Sequence, residues 1–179
     1  MNRIVLLFLF LTLNSCASMP LSTIVRMSTF DGQDFVKLKA EELRVKVMLP
    51  EGFALNGDES WLGIDIKSST GVYQGKFELK QEFEETIQLN GGLFDEPEQV
   101  TAFTLGLSES STVEFNELQQ FISSASAEDI HIRVVPKLES FPVDAVTVKV
   151  WIDLLLSQSQ GYLTLVDAAK LPLDKLRAM

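Results

Sequence analysis

From Leu43 onward, apolar and polar side chains alternate along most of the chain. Leu43, Val45, Val47 and Leu49 point one way and Arg44, Lys46 and Met48 the other, the two-residue period of a strand with one buried face, until Pro50-Glu51-Gly52 stops it. After a polar loop through Asp58, Leu62, Ile64 and Ile66 alternate with Gly63, Asp65 and Lys67. The turn-like Ser68–Gly71 then predicts a hairpin with the next run, Tyr73 to Phe83, where Phe77, Leu79 and Phe83 oppose Lys76, Glu78, Lys80 and Glu82. Asn90-Gly91-Gly92 supplies the positive φ of a reversal, and Asp95-Glu96-Pro97-Glu98 lengthens that loop. Phe103, Leu105 and Leu107 mark a further strand, and Ile130, Ile132 and Val134 another that runs to Pro136. Val146, Val148, Val150, Ile152 and Leu154, opposite Thr147, Lys149, Trp151 and Asp153, predict the longest, most apolar and central strand. Gly161–Val166 predicts the last one, before an irregular tail around Pro172.

The period lengthens where helices are expected. Phe115, Leu118, Phe121, Ile122 and Ala125 form one apolar stripe, predicting an amphipathic helix introduced by Ser111 or Thr112. Asp31 has the character of an N-cap for a short helix through about Leu38, with Phe35 and Leu38 on one side. Leu21–Met27 is rich in β-branched residues and favours a first strand, while Leu21, Ile24, Val25 and Ser28 also fit one helical face. Strands in succession with one long helix predict an α+β fold: a single domain over 21–179, mainly antiparallel sheet, with that helix packed on a face.

Composition narrows the range of partners. The formal net charge is −10 and no basic cluster stands out, so nucleic acid and anionic lipid headgroups are poor partners. Twelve Phe residues serve a packed interior. The single cysteine leaves no disulfide to support it.

Catalytic and cofactor motifs are missing. His131 is the only histidine, which excludes a His-based metal cluster, and alternation sets it on the side of Arg133, where a cation works against a general base. Gly106-Leu107-Ser108-Glu109-Ser110 lacks the second glycine of a nucleophile elbow, and no phosphate-binding Gly-x-x-x-x-Gly-Lys occurs. Glu82, Glu84 and Glu85 read as the wet side and end of a strand. The acids of Asp95–Glu98 are a weak Ca²⁺ candidate without the alternating ligands of an EF-hand. The expectation is therefore no cofactor, no metal and no catalytic residue. Trp61 and Trp151 differ from this background, because both fall opposite the aliphatic runs and an aromatic outside the core is a typical interface anchor.

The N-terminus carries an address. Arg3 precedes the apolar run Ile4–Leu13, which is too short for the roughly 20 residues of a spanning helix and reads as the core of a signal peptide. Leu13-Asn14-Ser15-Cys16 follows, with a branched apolar residue three places before the cysteine and a small one directly before it. This resembles the lipobox of bacterial lipoproteins. The resemblance implies a signal peptide at 1–15, a diacylglyceryl thioether (palmitate-type acylation) on Cys16, a lipidated tether at 16–20 and, with Ala17 after the cysteine, transfer to the outer membrane facing the periplasm. The expected function is a non-catalytic outer-membrane lipoprotein that binds a protein partner or supports an envelope assembly, with Trp61 and Trp151 as candidate partner surface. The alternatives are a binder of lipid or another apolar ligand between sheet and helix, and a cell-wall hydrolase with two convergent carboxyls.

Overall fold

The computed structural model describes residues 19–68, 71–90, 96–124 and 127–174, and within these nothing of the side chains of Ser124 and Glu128. Cys16, Gly91, Gly92, Asp95 and Ala125 lie outside them. The fold is α+β, dominated by one antiparallel sheet of strands β1 (Arg44–Pro50), β2 (Ala54–Ser68), β3 (Gly71–Leu89), β4 (Glu98–Leu107), β5 (Ala127–Ser140), β6 (Thr147–Leu155) and β7 (Tyr162–Pro172). Their spatial order is β5-β2-β3-β4-β1-β6-β7. The helical part is divided among α1 (Leu21–Ser28), α2 (Gly32–Val36), a single 3₁₀ turn (Ala40–Glu42) and α3 (Glu109–Ser124).

β3 holds the sheet together. Its first half, from Gly71 to Glu78, pairs with β2, and its second half, from Leu79 to Leu89, pairs with β4. The sheet thereby curls around one interior. That interior collects Val45, Val47 and Leu49 of β1, Leu62, Ile64 and Ile66 of β2, Phe77 and Leu79 of β3, Phe103 and Leu105 of β4, and Val148, Val150, Ile152 and Leu154 of β6. On it lie α2 and α3. Phe115 of α3 sits 5.0 Å from Phe35 of α2 and 5.8 Å from Phe77, ring centre to ring centre, and all three rings are fully buried. Gln119 Nε2 donates to the carbonyls of Phe35 and Leu38 at 2.9 and 2.8 Å, tying α3 to the end of α2.

Several expectations change. Leu21–Met27 is helix, not strand: its first N–H groups, of Thr23 and Ile24, donate to Pro20 O, and Pro ahead of a first turn is compatible with helix. The N-cap of α3 is Ser108 rather than Ser111 or Thr112, since Ser108 Oγ accepts from Ser111 N at 3.2 Å. α3 buries Ser111, Phe115, Leu118 and Ile122, whereas Phe121 is exposed. β6 is neither the longest strand nor central; it lies one place from the β7 edge, and β4 holds the middle. The Pro172 region belongs to β7.

The largest change is at Phe83. Gln81 pairs with Leu105 but Phe83 with Thr104, so Glu82 is an extra residue, a β-bulge. One inserted residue moves everything after it to the other face. Phe83 therefore stands outside, 57% exposed, while Phe77 and Leu79 are buried within.

Candidate partner surface

Beside Trp61 the ladder between β2 and β5 breaks. Asn56 pairs with Lys137 and Trp61 with Val135, so residues 57–60 stand opposite Pro136 alone. The sequence dictates this: Pro136 has no N–H to give to a ladder, and Asn56 folds its own strand by accepting Glu59 N in its side chain at 3.2 Å. Ser60 closes the gap. Its buried hydroxyl donates to Asn56 O at 2.7 Å and accepts Lys137 N at 3.0 Å. Gly57 is required because a Cβ there would stand 2.7 Å from Gln81 Cβ and 3.0 Å from Leu105 Cδ2.

The bulge opens a cleft of about 340 Å³ on the outer face of the sheet, lined by Asp58, Glu59, Trp61, Lys76, Glu78 and Lys137 among others. Trp61 is half-buried at its side. The indole leans over Gly63, where a Cβ would approach Trp61 Cζ3 to 2.9 Å. Gly63 is flanked across the strands by Lys76 and Arg133. Both cations rest on the indole, Lys76 Nζ at 5.2 Å and Arg133 Cζ at 5.4 Å from the ring centre. Arg133 is also paired with Asp65, whose second oxygen, Oδ1, is buried without a hydrogen-bond partner. The cleft thus offers an aromatic edge flanked by two cations, with Glu78 opposite Trp61 in the ladder and Asp58 and Glu59 also on its wall.

Trp151 has a different environment. It is 8% exposed and packs with Met48, Val100 and Ala102 in a second, smaller core on the outer face, which Ile87, Leu89 and Ala168 complete. Lys149 Nζ lies 4.8 Å from its ring centre and is held there by Glu98 Oε2 at 2.6 Å. Little of this ring is offered to a partner. β3, β4 and β1 separate Trp61 from Trp151, four strand spacings or an arc of roughly 19 Å, so the two indoles do not form one anchor point.

Beside this second core runs a row of charges and tyrosine. Arg44 Nε meets Glu82 Oε2 at 2.5 Å, and Lys46 Nζ lies 3.9 Å from Glu85 Oε1 and 5.0 Å from the Tyr162 ring centre. Burial holds the Asp153 carboxyl above the usual range, against a hydrogen bond from Thr164 and the attraction of Lys46. Burial likewise raises Tyr162. His131 Nε2 lies 3.0 Å from Asp129 Oδ2 on an exposed part of β5. Of the Asp95–Glu98 acids, Glu98 is engaged by Lys149. Among the described residues no group of three His, Cys, Asp or Glu side chains is placed to hold a metal, and no helix is long and apolar enough to cross a membrane.

Alternation located both tryptophans on the outer face but missed the cleft, since the break in the ladder comes from residues on two strands. Pro136 and the turn-forming Asn56-Gly57-Asp58 were its visible signals. No family model, curated protein or solved structure matches this chain significantly.

Proposed function

We propose that the chain is a non-catalytic outer-membrane lipoprotein, anchored through Cys16 and facing the periplasm, that binds an envelope protein through the cleft at Trp61. The anchor rests on the lipobox-like Leu13–Cys16. What supports the cleft as the binding place is the cation-braced, half-buried Trp61 on the sheet face opposite the core. A rigid aromatic beside a recess loses little entropy when a partner covers it, which is why tryptophan dominates binding hot spots. Two flanking cations and several acids give the partner a charge pattern to match, a source of selectivity more than of affinity.

The apolar-ligand alternative finds less support, because Phe35, Phe77 and Phe115 fill the space between sheet and helix themselves. In cells, a photo-crosslinking amino acid at Trp61 is expected to capture one discrete protein, and Gly63→Val, which displaces Arg133 and the indole, to lower the yield severalfold at unchanged protein level. Capture of nothing above the yield at Val143 overturns the cleft as the binding place. Labelled palmitate that persists in Cys16→Ala overturns the anchor.

A further inference from the structure

Helix α1 turns its hydrophobic side outward. Leu21 is 74%, Val25 59% and Ile24 45% exposed, and Met19 just before the helix is 37% exposed. At helical spacing, Leu21, Ile24 and Val25 form one ridge. The side that faces the protein is mixed: Thr23 is buried, Met27 packs at the edge of the main core, and Arg26 Nη2 donates to Gln160 O at 3.0 Å and Gln160 Oε1 at 3.1 Å, fastening the helix beside the start of β7. Within the domain α1 buries Met27, whereas Leu21, Ile24 and Val25, three of its four large apolar side chains, stay outside.

We propose that the ridge of α1 is seated in the interfacial layer of the bilayer that holds the Cys16 lipid. The inference rests on the lipidation reading above. Only Ala17–Pro20 separate Cys16 from Leu21, so even a fully extended tether keeps the helix within about 20 Å of the acylated sulfur. Charge agrees with that position. The first of the 25 acidic residues is Asp31, so the segment from Cys16 through α1 is free of the acids that an anionic headgroup would repel. Eight residues are too few to hold a membrane alone, but the acyl chains make the encounter intramolecular and a weak affinity then suffices. With the ridge down, the body of the domain is held in one orientation rather than swinging on its tether.

The test uses the acylated mature protein, beginning at Cys16, in vesicles of phosphatidylethanolamine with a minor fraction of phosphatidylglycerol. With the Cys16 thiol consumed as a thioether, Ile24→Cys or Val143→Cys introduces a single free thiol for a fluorescent label; Val143 is 97% exposed and serves as the aqueous reference. Lipids brominated on the acyl chain are expected to quench the label at position 24 severalfold more than at position 143, and aqueous iodide the reverse. Adding Leu21→Ser and Val25→Ser is expected to abolish the difference without lowering the melting temperature, because both side chains are already exposed. The mass spectrum of the same sample reports acylation. An acylated protein whose label at position 24 is as open to iodide as that at position 143 overturns the seated helix and leaves the anchor standing. An unacylated protein overturns both. A crosslinker at position 24 that captures a protein rather than lipid in native membranes also overturns it.

Discussion

Arg44 Nε and Glu82 Oε2 meet at 2.5 Å across the backbone of Gly106. Glu82 reaches that far because it is the residue the ladder does not accommodate, between Gln81 opposite Leu105 and Phe83 opposite Thr104. Gly106 leaves the room, since a Cβ there would run into the Glu82 carboxylate and stand 3.4 Å from Arg44 Cζ. The bulge, the glycine and the ion pair are one device, placed where β3 passes from β2 to β4 and the sheet bends.

Deleting Glu82 is therefore expected to be milder than deleting its neighbour Glu84. Without Glu82 the pairs Gln81–Leu105 and Phe83–Thr104 become consecutive and every later side chain keeps its face. The losses are the local bend and a half-exposed ion pair, the latter contributing about 1 kcal/mol at most. Without Glu84 the bulge remains but the rest of β3 turns over, carrying Ile87 and Leu89 away from Trp151. That loss is expected to exceed about 4 kcal/mol. Urea unfolding of the two deletions, compared on one m-value scale, decides; equal destabilisation would remove the bulge from the account.

The alternation Leu62, Ile64, Ile66 and Val45, Val47, Leu49 was legible because each position keeps its face wherever the ladder is regular. Phe83 was misread for the complementary reason: it shares odd spacing with Phe77 and Leu79, and the bulge that breaks this parity depends on Gly106 in another strand. Ile24 and Val25 misled in a second way. Their β-branching favoured a strand, and the competing helical pattern picked the right period, but hydrophobicity carries no information about burial when the ridge faces outward. The cleft at Trp61 needed Pro136 and Asn56 brought side by side, which no local pattern reports.

Two buried serines replace ladder hydrogen bonds, and both are expected to be sensitive. Ser111 Oγ accepts Glu78 N at 2.7 Å where β3 passes beneath α3, and Ser60 Oγ accepts Lys137 N at 3.0 Å across the β2 bulge. Each is 1% exposed. Ser111→Ala and Ser60→Ala leave a backbone N–H without its partner, a loss of about 1–3 kcal/mol each. Amide hydrogen exchange provides the specific check: Glu78 is expected to lose protection in the first variant and Lys137 in the second, each without the other changing beyond the global shift.

Ala168 has φ +53 in β7, the only left-handed non-glycine among the described residues, at the register break opposite Trp151. An L-residue there carries a conformational penalty of about 1–2 kcal/mol, which glycine avoids. Its methyl, however, packs against the Trp151 core. Ala168→Gly is expected to change stability by less than about 1 kcal/mol, the relief of strain offsetting the lost contact and the freer unfolded chain. Ala168→Val, β-branched at positive φ, is expected to destabilise by about 1–3 kcal/mol. The melting temperatures of the pair test this; a valine as well tolerated as glycine would mean the bulge flattens.

Asp153 makes stability depend on pH in the direction opposite to a salt-bridged carboxylate. Burial is the largest influence on it and raises its folded pKa, outweighing the Thr164 hydrogen bond and Lys46, while Asp167 adds repulsion. The folded chain therefore holds this proton to higher pH than the unfolded chain does. The stability contributed by the neutral carboxyl is complete below the unfolded pKa of about 3.9 and is lost as pH rises through the folded value. Asp153→Asn keeps a neutral side chain that still accepts from Thr164. It is expected to match the native chain below about pH 4 and to exceed it progressively toward neutrality. The difference between the urea midpoints of the two proteins, measured at pH 4 and at pH 7, is the readout. A variant that is instead less stable at pH 7 than at pH 4, relative to the native chain, would show that attraction to Lys46 outweighs desolvation at this position.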